Sequence, residues 1–135
     1  MESGIRVAAN ALIVEEGRAL LVEFDGESGV HLNFPGGGVE PDETLEEAVR
    51  REVREEACLD VRVDRLRLIV ESIAARDPNR IAGQDIPWNE LRFFFLCSPL
   101  DAANVARLPD RPDANQTGVR WLPLESLPLE PSCPR

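Results

Sequence analysis

The sequence predicts one domain in which a mixed β-sheet packs with few helices, as an α+β or α/β sandwich. Its length of 135 residues suits a single domain, which we expect to cover residues 1–135. Several apolar runs have the length and β-branched character of strands, and one longer segment is helical by propensity. Strands that precede and follow a single strong helix are typical of the α/β and α+β classes.

The chain begins with a predicted hairpin. Residues 5–14 and 18–24 are apolar and partly β-branched, and a turn-like Glu-Glu-Gly segment separates them. We expect a loop over residues 25–30 and a short strand over 31–34. The segment Pro35-Gly36-Gly37-Gly38 then predicts an interruption of regular structure.

A helix is predicted from Thr44 to about Ala57, because this segment lacks glycine and proline. Thr44 fits the N-cap, and Glu47 occupies the capping-box position three residues later. The remaining predicted elements are one or two strands over residues 61–74, a long loop over 75–90, an apolar strand over 91–98, an irregular segment over 99–117 and a short strand over 118–122.

Charge and composition exclude several functions. The formal net charge of -10 argues against binding to nucleic-acid backbones or anionic membranes. A phosphate substrate would need a bound cation or a local arginine cluster to reverse this field. The sequence contains no lysine and no tyrosine, which rules out a lysine Schiff base or a tyrosine acid.

The cysteines and the apolar segments indicate a cytoplasmic protein. Cys58, Cys97 and Cys133 are widely spaced and form no CxxC pair, so we expect free thiols and no structural zinc. The apolar stretch from Val7 to Val14 is short and indicates a strand, not a signal peptide. No segment approaches the roughly 20 apolar residues that span a membrane.

Two glutamates lie on the wrong side of the predicted helix. At about 100° per residue its apolar positions form one core-facing stripe: Leu45, Ala48, Val49, Val53 and Ala57. Glu52 and Glu56 project into that same arc, and Glu55 lies at its edge. The run could be a solvated face, a set of structural salt bridges, or carboxylate ligands of a hard cation such as Mg²⁺, Mn²⁺ or Ca²⁺.

The glycines before the helix favour the cation site. Gly36, Gly37 and Gly38 allow the backbone to approach a ligand closely, and their carbonyls are hard oxygen ligands.

The segment from Gly37 to Leu59 resembles the Nudix hydrolase signature, G-x5-E-x7-R-E-U-x-E-E-x-G-U, in which U is a bulky aliphatic residue. Gly37, Glu43 and the run from Arg51 to Leu59 match every fixed position except the last glycine, which is Cys58. The flanking Phe34-Pro35-Gly36-Gly37 and the late strand at 118–124 also match the family.

This resemblance implies an α/β/α sandwich with a mixed sheet. It implies hydrolysis of a nucleoside diphosphate linked to another group X, such as a nucleoside triphosphate or ADP-ribose. Glu52 and Glu56 match metal ligands, and Glu55 matches a third ligand or the residue that holds the attacking water. The carbonyl of Gly36 or Gly37 often completes the metal shell in the family. The implied cofactor is Mg²⁺, with Mn²⁺ possible.

Other implied roles are less direct. Arg51 and Glu43 match a pair that orients the helix and the loop, although an ordinary surface salt bridge is an equal alternative. The base that takes the proton of the water is open, and Glu71 and Glu90 are outside candidates. Within the family the expected partner is a small-molecule nucleotide, with no nucleic acid and no membrane, and the protein is expected to be a monomer or homodimer.

Three departures from the family are visible. Cys58 replaces a glycine that would adopt the left-handed conformation, so we expect a distorted or earlier helix end. The late acidic residue of some relatives is absent, and Gln116 stands near its position. The chain stops at Arg135, so a final helix would be short or missing.

Substrate specificity lies outside the signature. Trp88 on the 75–90 loop could stack on a base, and Arg76 and Arg80 could contact phosphates, with a packed core or hinge residue and solvated charges as the alternatives. The loop as a whole is a candidate lid. Two rival functions are a non-catalytic nucleotide-binding or regulatory module of the same fold and a structural Ca²⁺ site.

Overall fold

The structure is a computed structural model that describes residues 4–27, 29–73, 89–101 and 103–127. The elements in chain order are β1 (Ile5–Glu15), β2 (Arg18–Gly26), β3 (Gly29–Asn33), β4 (Gly36–Gly38), α1 (Leu45–Ala57), β5 (Val61–Ser72), β6 (Asn89–Pro99) and β7 (Gln116–Pro123). A short 3-10 turn, Leu124–Ser126, follows the last strand.

The seven strands form one mixed sheet, which confirms the predicted class. The order is β3-β2-β1-β6-β5, with β4 paired to β1 and β7 paired to β2. The β1–β6 pairing is parallel, and the other pairings are antiparallel. Within the described residues α1 is the one α-helix, so a second helical layer of the implied sandwich is not among them. No helix in this part of the chain is long and apolar enough to cross a membrane.

Helix α1 forms as its sequence predicts. The Thr44 Oγ1 accepts a hydrogen bond from the Glu47 N–H at 3.1 Å, and the Glu47 carboxylate accepts one from the Thr44 N–H at 2.9 Å. This capping box satisfies N–H groups that the first turn leaves without partners. The buried apolar residues of the helix share one core cluster with residues of β1, β2, β5 and β6, and Trp121 packs against this cluster.

The predicted loop at 25–30 and the predicted break at 35–38 are both wrong. Strand pairing continues from β2 to β3 until Gly26 faces Gly29, so most of the predicted loop belongs to the two strands. Gly36–Gly38 pair with β1 as the short strand β4. Gly36 has a φ of 151°, and a Cβ there would lie 2.3 Å from the carbonyl oxygen of Ala9. Only a glycine allows the two backbones to approach so closely, and the glycine run therefore builds a strand.

Two of the later strands are longer than expected. The segment predicted as one or two strands forms a single strand, β5, over Val61–Ser72, with irregular register at two points. The strand predicted at 91–98 begins at Asn89, and the one predicted at 118–122 extends from Gln116 to Pro123. Most of the predicted 75–90 loop lies outside the described residues.

The expected distortion at Cys58 is also wrong. Helix α1 continues to Ala57, and Cys58 itself adopts the left-handed conformation with φ 57° and ψ 36°. Its N–H donates to the carbonyl of Arg54 at 3.1 Å, which closes the last turn. The helix therefore ends as it would with glycine. The steric clash of a left-handed cysteine lowers the free energy of unfolding.

Replacing Cys58 with glycine should therefore stabilise the protein. We expect Cys58→Gly to raise the free energy of unfolding by about 1 kcal/mol, measured by urea denaturation, because glycine adopts this conformation without a Cβ clash. Cys58→Ala is the control for loss of the thiol and should give no such gain. Equal stability of the two variants would show that the left-handed conformation carries no strain.

Candidate active site

The end of α1 and the strand β4 bring two glutamates against glycine backbone. Glu56 is only 5% exposed, and its Oε1 accepts a hydrogen bond from the Gly36 N–H at 3.0 Å. A Cβ at Gly37 would lie 2.8 Å from Oε2 of Glu52, so this position needs a glycine for the carboxylate to lie where it does. The expectation that Glu52 and Glu56 lie on the core side of the helix is confirmed.

Burial makes this pair of carboxylates reluctant to ionise. Burial raises the pKa of Glu56 to about 8, against the lowering effect of the Gly36 hydrogen bond and with a further contribution from nearby Glu52 and Asp113. Burial also raises the pKa of Glu52, against the opposing effect of Arg51. The site therefore holds two carboxyl groups close together where water solvates their ionised forms poorly.

Asp113 is the acidic residue that the sequence failed to indicate. The late acidic residue of some relatives is absent near Gln116, but Asp113, three residues earlier, brings another carboxyl close to that of Glu56. Gln116 positions it: the buried Gln116 Nε2 donates to the Glu56 carbonyl at 2.8 Å, and its Oε1 accepts from the Asp113 N–H at 3.3 Å. No local pattern distinguishes Asp113 from other aspartates of the polar 99–117 segment, so sequence reasoning had no signal for it.

Arg51 connects the helix to the glycine strand. Its Nε and Nη2 bind both oxygens of Glu43 at 2.7 and 2.9 Å, and Nη2 also donates to the Gly38 carbonyl at 3.2 Å. The Arg51 hydrogen bonds lower the pKa of Glu43 to about 2. Its Nη1 donates to Glu52 at 3.1 Å and to Glu55 at 3.3 Å. Arg51 thus contacts three carboxylates and the backbone of β4 at once.

Glu55 lies at the edge of the cluster, as predicted. Its side chain is 52% exposed, and its Oε1 accepts a hydrogen bond from the guanidinium of Arg51. Among the described residues, no three acidic, histidine or cysteine side chains already converge on one point. The donor set still fits a hard divalent cation, because carboxylate oxygens and the carbonyls of β4 are the ligands that Mg²⁺ and Mn²⁺ prefer. A cation between Glu52 and Glu56 would also relieve their mutual repulsion.

A pocket of about 190 Å³ adjoins the glutamates, and Glu56, Gly36 and Gly37 form part of its lining. One part of its wall is aromatic: Phe24, Phe34 and Phe94. Another part carries arginines, Arg6 and Arg92.

Glu90 is not available as a general base. Its Oε1 accepts from Arg6 at 2.8 Å and its Oε2 from Arg92 at 2.9 Å, so each oxygen already binds a guanidinium. Glu71, the other outside candidate, lies exposed on β5, where it faces Leu91 of β6. Sequence reasoning missed Arg6, Arg92 and the buried Asn10. Arg6 and Asn10 lie four positions apart in the otherwise apolar segment 5–14, which places them on one face of the strand, and this was the available signal.

The residues proposed for substrate contact cannot be placed. Trp88, Arg76 and Arg80 all lie outside the described residues.

The site thus lies where the glutamates of the capped helix α1 meet the glycine strand β4 of a mixed sheet. The sequence matches the NUDIX domain family over residues 4–134, and the chain belongs to this family. The fold agrees: the crystal structure of a MutT NUDIX hydrolase from Burkholderia pseudomallei is similar, with a TM-score of 0.70 and 26% identity, covering 96% of this chain and 90% of that one.

Two curated relatives are similar in sequence. The 8-oxo-dGDP phosphatase NUDT18 from Homo sapiens is 34% identical over 123 residues, which is 90% of this chain and 33% of that protein. The nucleoside triphosphatase NudI from Klebsiella pneumoniae (strain 342) is 51% identical over 51 residues, which is 33% of this chain and 34% of that protein. The matches span about a third of the length of these curated relatives.

The buried glutamates predict an unusual pH dependence of stability for the metal-free protein. An acid with a higher pKa in the folded state binds its proton more tightly there, so folding stability falls as the pH rises from 4.5 to about 8. We expect the melting temperature, measured with chelator present, to drop by at least about 5 °C between pH 5 and pH 8.5.

Glu56→Gln is the matched control, because the amide keeps the shape of the side chain and removes its titration. We expect the variant to lose most of this pH dependence. The low pKa of Glu43 affects stability only as the pH falls below 4.5, so it does not contribute in this window. A parent protein that gains stability between pH 5 and pH 8.5 would contradict the assignment.

Proposed function

We propose that this protein hydrolyses a phosphoanhydride bond in a nucleoside diphosphate linked to another group X, with Mg²⁺ as cofactor and Mn²⁺ as a substitute. The observation that carries the proposal is the buried Glu56 carboxylate, which lies beside the glycine strand and within the electrostatic influence of Glu52 and Asp113. Such a cluster is costly in a protein with no cation, because like charges repel and burial removes their hydration. A divalent cation removes this cost.

The proposed metal ligands are Glu52, Glu56 and a β4 carbonyl, at Gly36 or Gly37, with Glu55 as a third carboxylate. When bound, the cation neutralises the pyrophosphate and lowers the pKa of a bound water. Asp113 is a candidate for the same shell. It lies against Glu56, and Gln116 holds its loop in place.

The chain itself has three tasks in this reaction. Arg51 and Glu43 hold the helix and β4 at a fixed distance, which keeps the carboxylates and the carbonyls together. Glu55 is exposed and can turn from Arg51 toward the attacking water, so we assign it the role of holding that water. The water oxygen forms a bond to phosphorus, the bond from phosphorus to the departing phosphate oxygen breaks, and a carboxylate of the cluster takes the proton.

A nucleotide is the proposed substrate. The two curated relatives are named as an 8-oxo-dGDP phosphatase and a nucleoside triphosphatase. These names support a nucleoside triphosphate or diphosphate as the substrate of this protein. A sugar nucleotide such as ADP-ribose is the other member of the class. The aromatic wall of the pocket, near Glu56, offers faces on which a base can stack.

Removing the carboxylates should abolish turnover without unfolding the protein. We expect Glu52→Gln and Glu56→Gln each to lower kcat by about 10³-fold on the best substrate of a nucleotide panel with Mg²⁺, because several kcal/mol of charge stabilisation is lost. The measurement is release of nucleoside monophosphate, resolved by chromatography. Glu56→Gln should melt no lower than the parent at pH 8, since it removes a buried charge.

Glu46→Gln provides the matched control, because Glu46 lies on the exposed side of the same helix and its ion pair within the described residues is with Arg50. It should retain the activity of the parent. Absence of turnover on every nucleotide, with Mg²⁺ or Mn²⁺, despite measurable nucleotide binding, would identify a non-catalytic binding module. Full activity of both glutamine variants would show that the ligands are assigned wrongly.

A further inference from the structure

The turn from Asp113 to Gln116 is attached to the sheet by its backbone. The Gln116 N–H donates to the Asp113 carbonyl at 3.0 Å, which closes the turn. Asn115 within it has a φ of 68°, a left-handed conformation that asparagine tolerates better than most residues. The Asn115 carbonyl accepts a hydrogen bond from the Asp25 N–H of β2 at 2.8 Å. One side of the turn is therefore fixed to β2.

The buried side chain of Gln116 attaches the same turn to helix α1. It is 6% exposed, its Nε2 donates to the Glu56 carbonyl at 2.8 Å, and its Oε1 accepts from the Asp113 N–H at 3.3 Å. An amide carries both a donor and an acceptor, which neither a carboxylate nor an apolar side chain of this length offers. Gln116 therefore joins Asp113 to the residue whose carboxylate lies at the centre of the site.

Two carbonyls at the end of α1 find their donors in the segment that follows β6. The last four carbonyls of a helix have no partner within the helix. The Arg107 N–H donates to the Ala57 carbonyl at 3.0 Å, and the Gln116 amide binds the carbonyl of Glu56. Because the Arg107 contact is made by backbone, it does not depend on the side chain of Gln116. Loss of the Gln116 amide would free the turn that carries Asp113 and leave the Arg107 contact in place.

Electrostatic repulsion acts against the position of Asp113. This residue is exposed, and its charge contributes to the raised pKa of both Glu52 and Glu56. An exposed turn without an anchor would move its carboxylate away from these like charges. The buried amide opposes that movement and keeps another hard oxygen donor near the two glutamates. The affinity of a cation site depends on both its number of carboxylate charges and its rigidity.

We propose that Gln116 is a positioning residue, whose buried amide holds Asp113 beside Glu56 so that Asp113 contributes a further carboxylate to the divalent-cation site. This inference rests on the proposed function, because that function places the cation between the glutamates. It goes beyond that function by making cation affinity depend on a side chain that contacts neither the cation nor the substrate.

Direct Mn²⁺ binding to the substrate-free protein, measured by electron paramagnetic resonance of the free ion, tests this dependence. Asp113→Asn should weaken Mn²⁺ binding by about 10-fold, because one carboxylate charge is lost. Gln116→Met removes the donor and the acceptor at similar length and should weaken binding by a similar factor. In the double variant the loss should stay within about 2-fold of that in Asp113→Asn alone, because both substitutions remove one shared interaction.

Asp110→Asn is the matched control, because Asp110 lies in the same segment with a side chain that is 99% exposed. It removes the same charge and should change Mn²⁺ affinity by less than about 2-fold. Thermal melting with chelator present shows whether each variant is folded. If Gln116→Met does not fold, Gln116→Asn replaces it, since this amide is one methylene too short to reach both partners.

Two results would overturn the proposal. Losses that multiply in the double variant would show that Gln116 has a purely structural role, independent of Asp113. Parent-like Mn²⁺ affinity in Asp113→Asn would show that this carboxylate does not contribute to the cation site.

Nucleotide turnover separates this proposal from the proposed function. A parent that binds Mn²⁺ and whose variants follow the expected pattern, but that hydrolyses no nucleotide, would refute the hydrolase assignment and support the positioning role. A parent that hydrolyses nucleotides while Asp113→Asn binds Mn²⁺ normally would overturn the positioning role alone. A parent that binds no Mn²⁺ would overturn both.

Discussion

The Glu56 carboxylate is buried at the last turn of α1, and the N–H of Gly36 is its hydrogen-bond donor on the protein. The geometry around it follows from this placement. The backbone of β4 can reach the carboxylate only because Gly36 lies against β1 without a side chain. Glu52 can lie beside it only because Gly37 has no Cβ. The glycine strand and the acidic helix thus depend on each other.

Such a cluster stays together because other groups hold its surroundings rigid. Arg51 binds Glu43, Glu52, Glu55 and the Gly38 carbonyl, so it fixes the distance between the helix and β4. Gln116 fixes the position of Asp113 relative to the end of the helix. Its side chain accepts a hydrogen bond from the Asp113 N–H and donates one to the Glu56 carbonyl. Together these contacts oppose the repulsion between carboxylates. In the proposed function, a divalent cation at this cluster would let a protein with net charge -10 accept an anion, because the cation would reverse the sign of the field locally.

The helix and its glutamates could be predicted because the information is local. The capping box lies within four residues, and the misplacement of Glu52 and Glu56 follows from helical periodicity alone. The β4 strand could not be predicted, because its glycines form a strand only by close approach to β1. No local propensity encodes this approach. The arginine pair depends on a contact between residues 84 positions apart, and Gln116 reaches Glu56 across 60 positions. The first contact requires the parallel pairing of β1 with β6, and the second requires the chain to return to α1 before β7. Both features are set by the whole fold.

The central claim is that the buried carboxylates form a divalent-cation site. Crystals soaked in Mn²⁺ and measured at the manganese absorption edge test it directly. The account predicts an anomalous peak between the carboxylates of Glu52 and Glu56, with a carbonyl of Gly36 or Gly37 in the coordination shell, and no such peak in Glu56→Gln. A map without a peak at this position, at Mn²⁺ concentrations that occupy other sites, would contradict it.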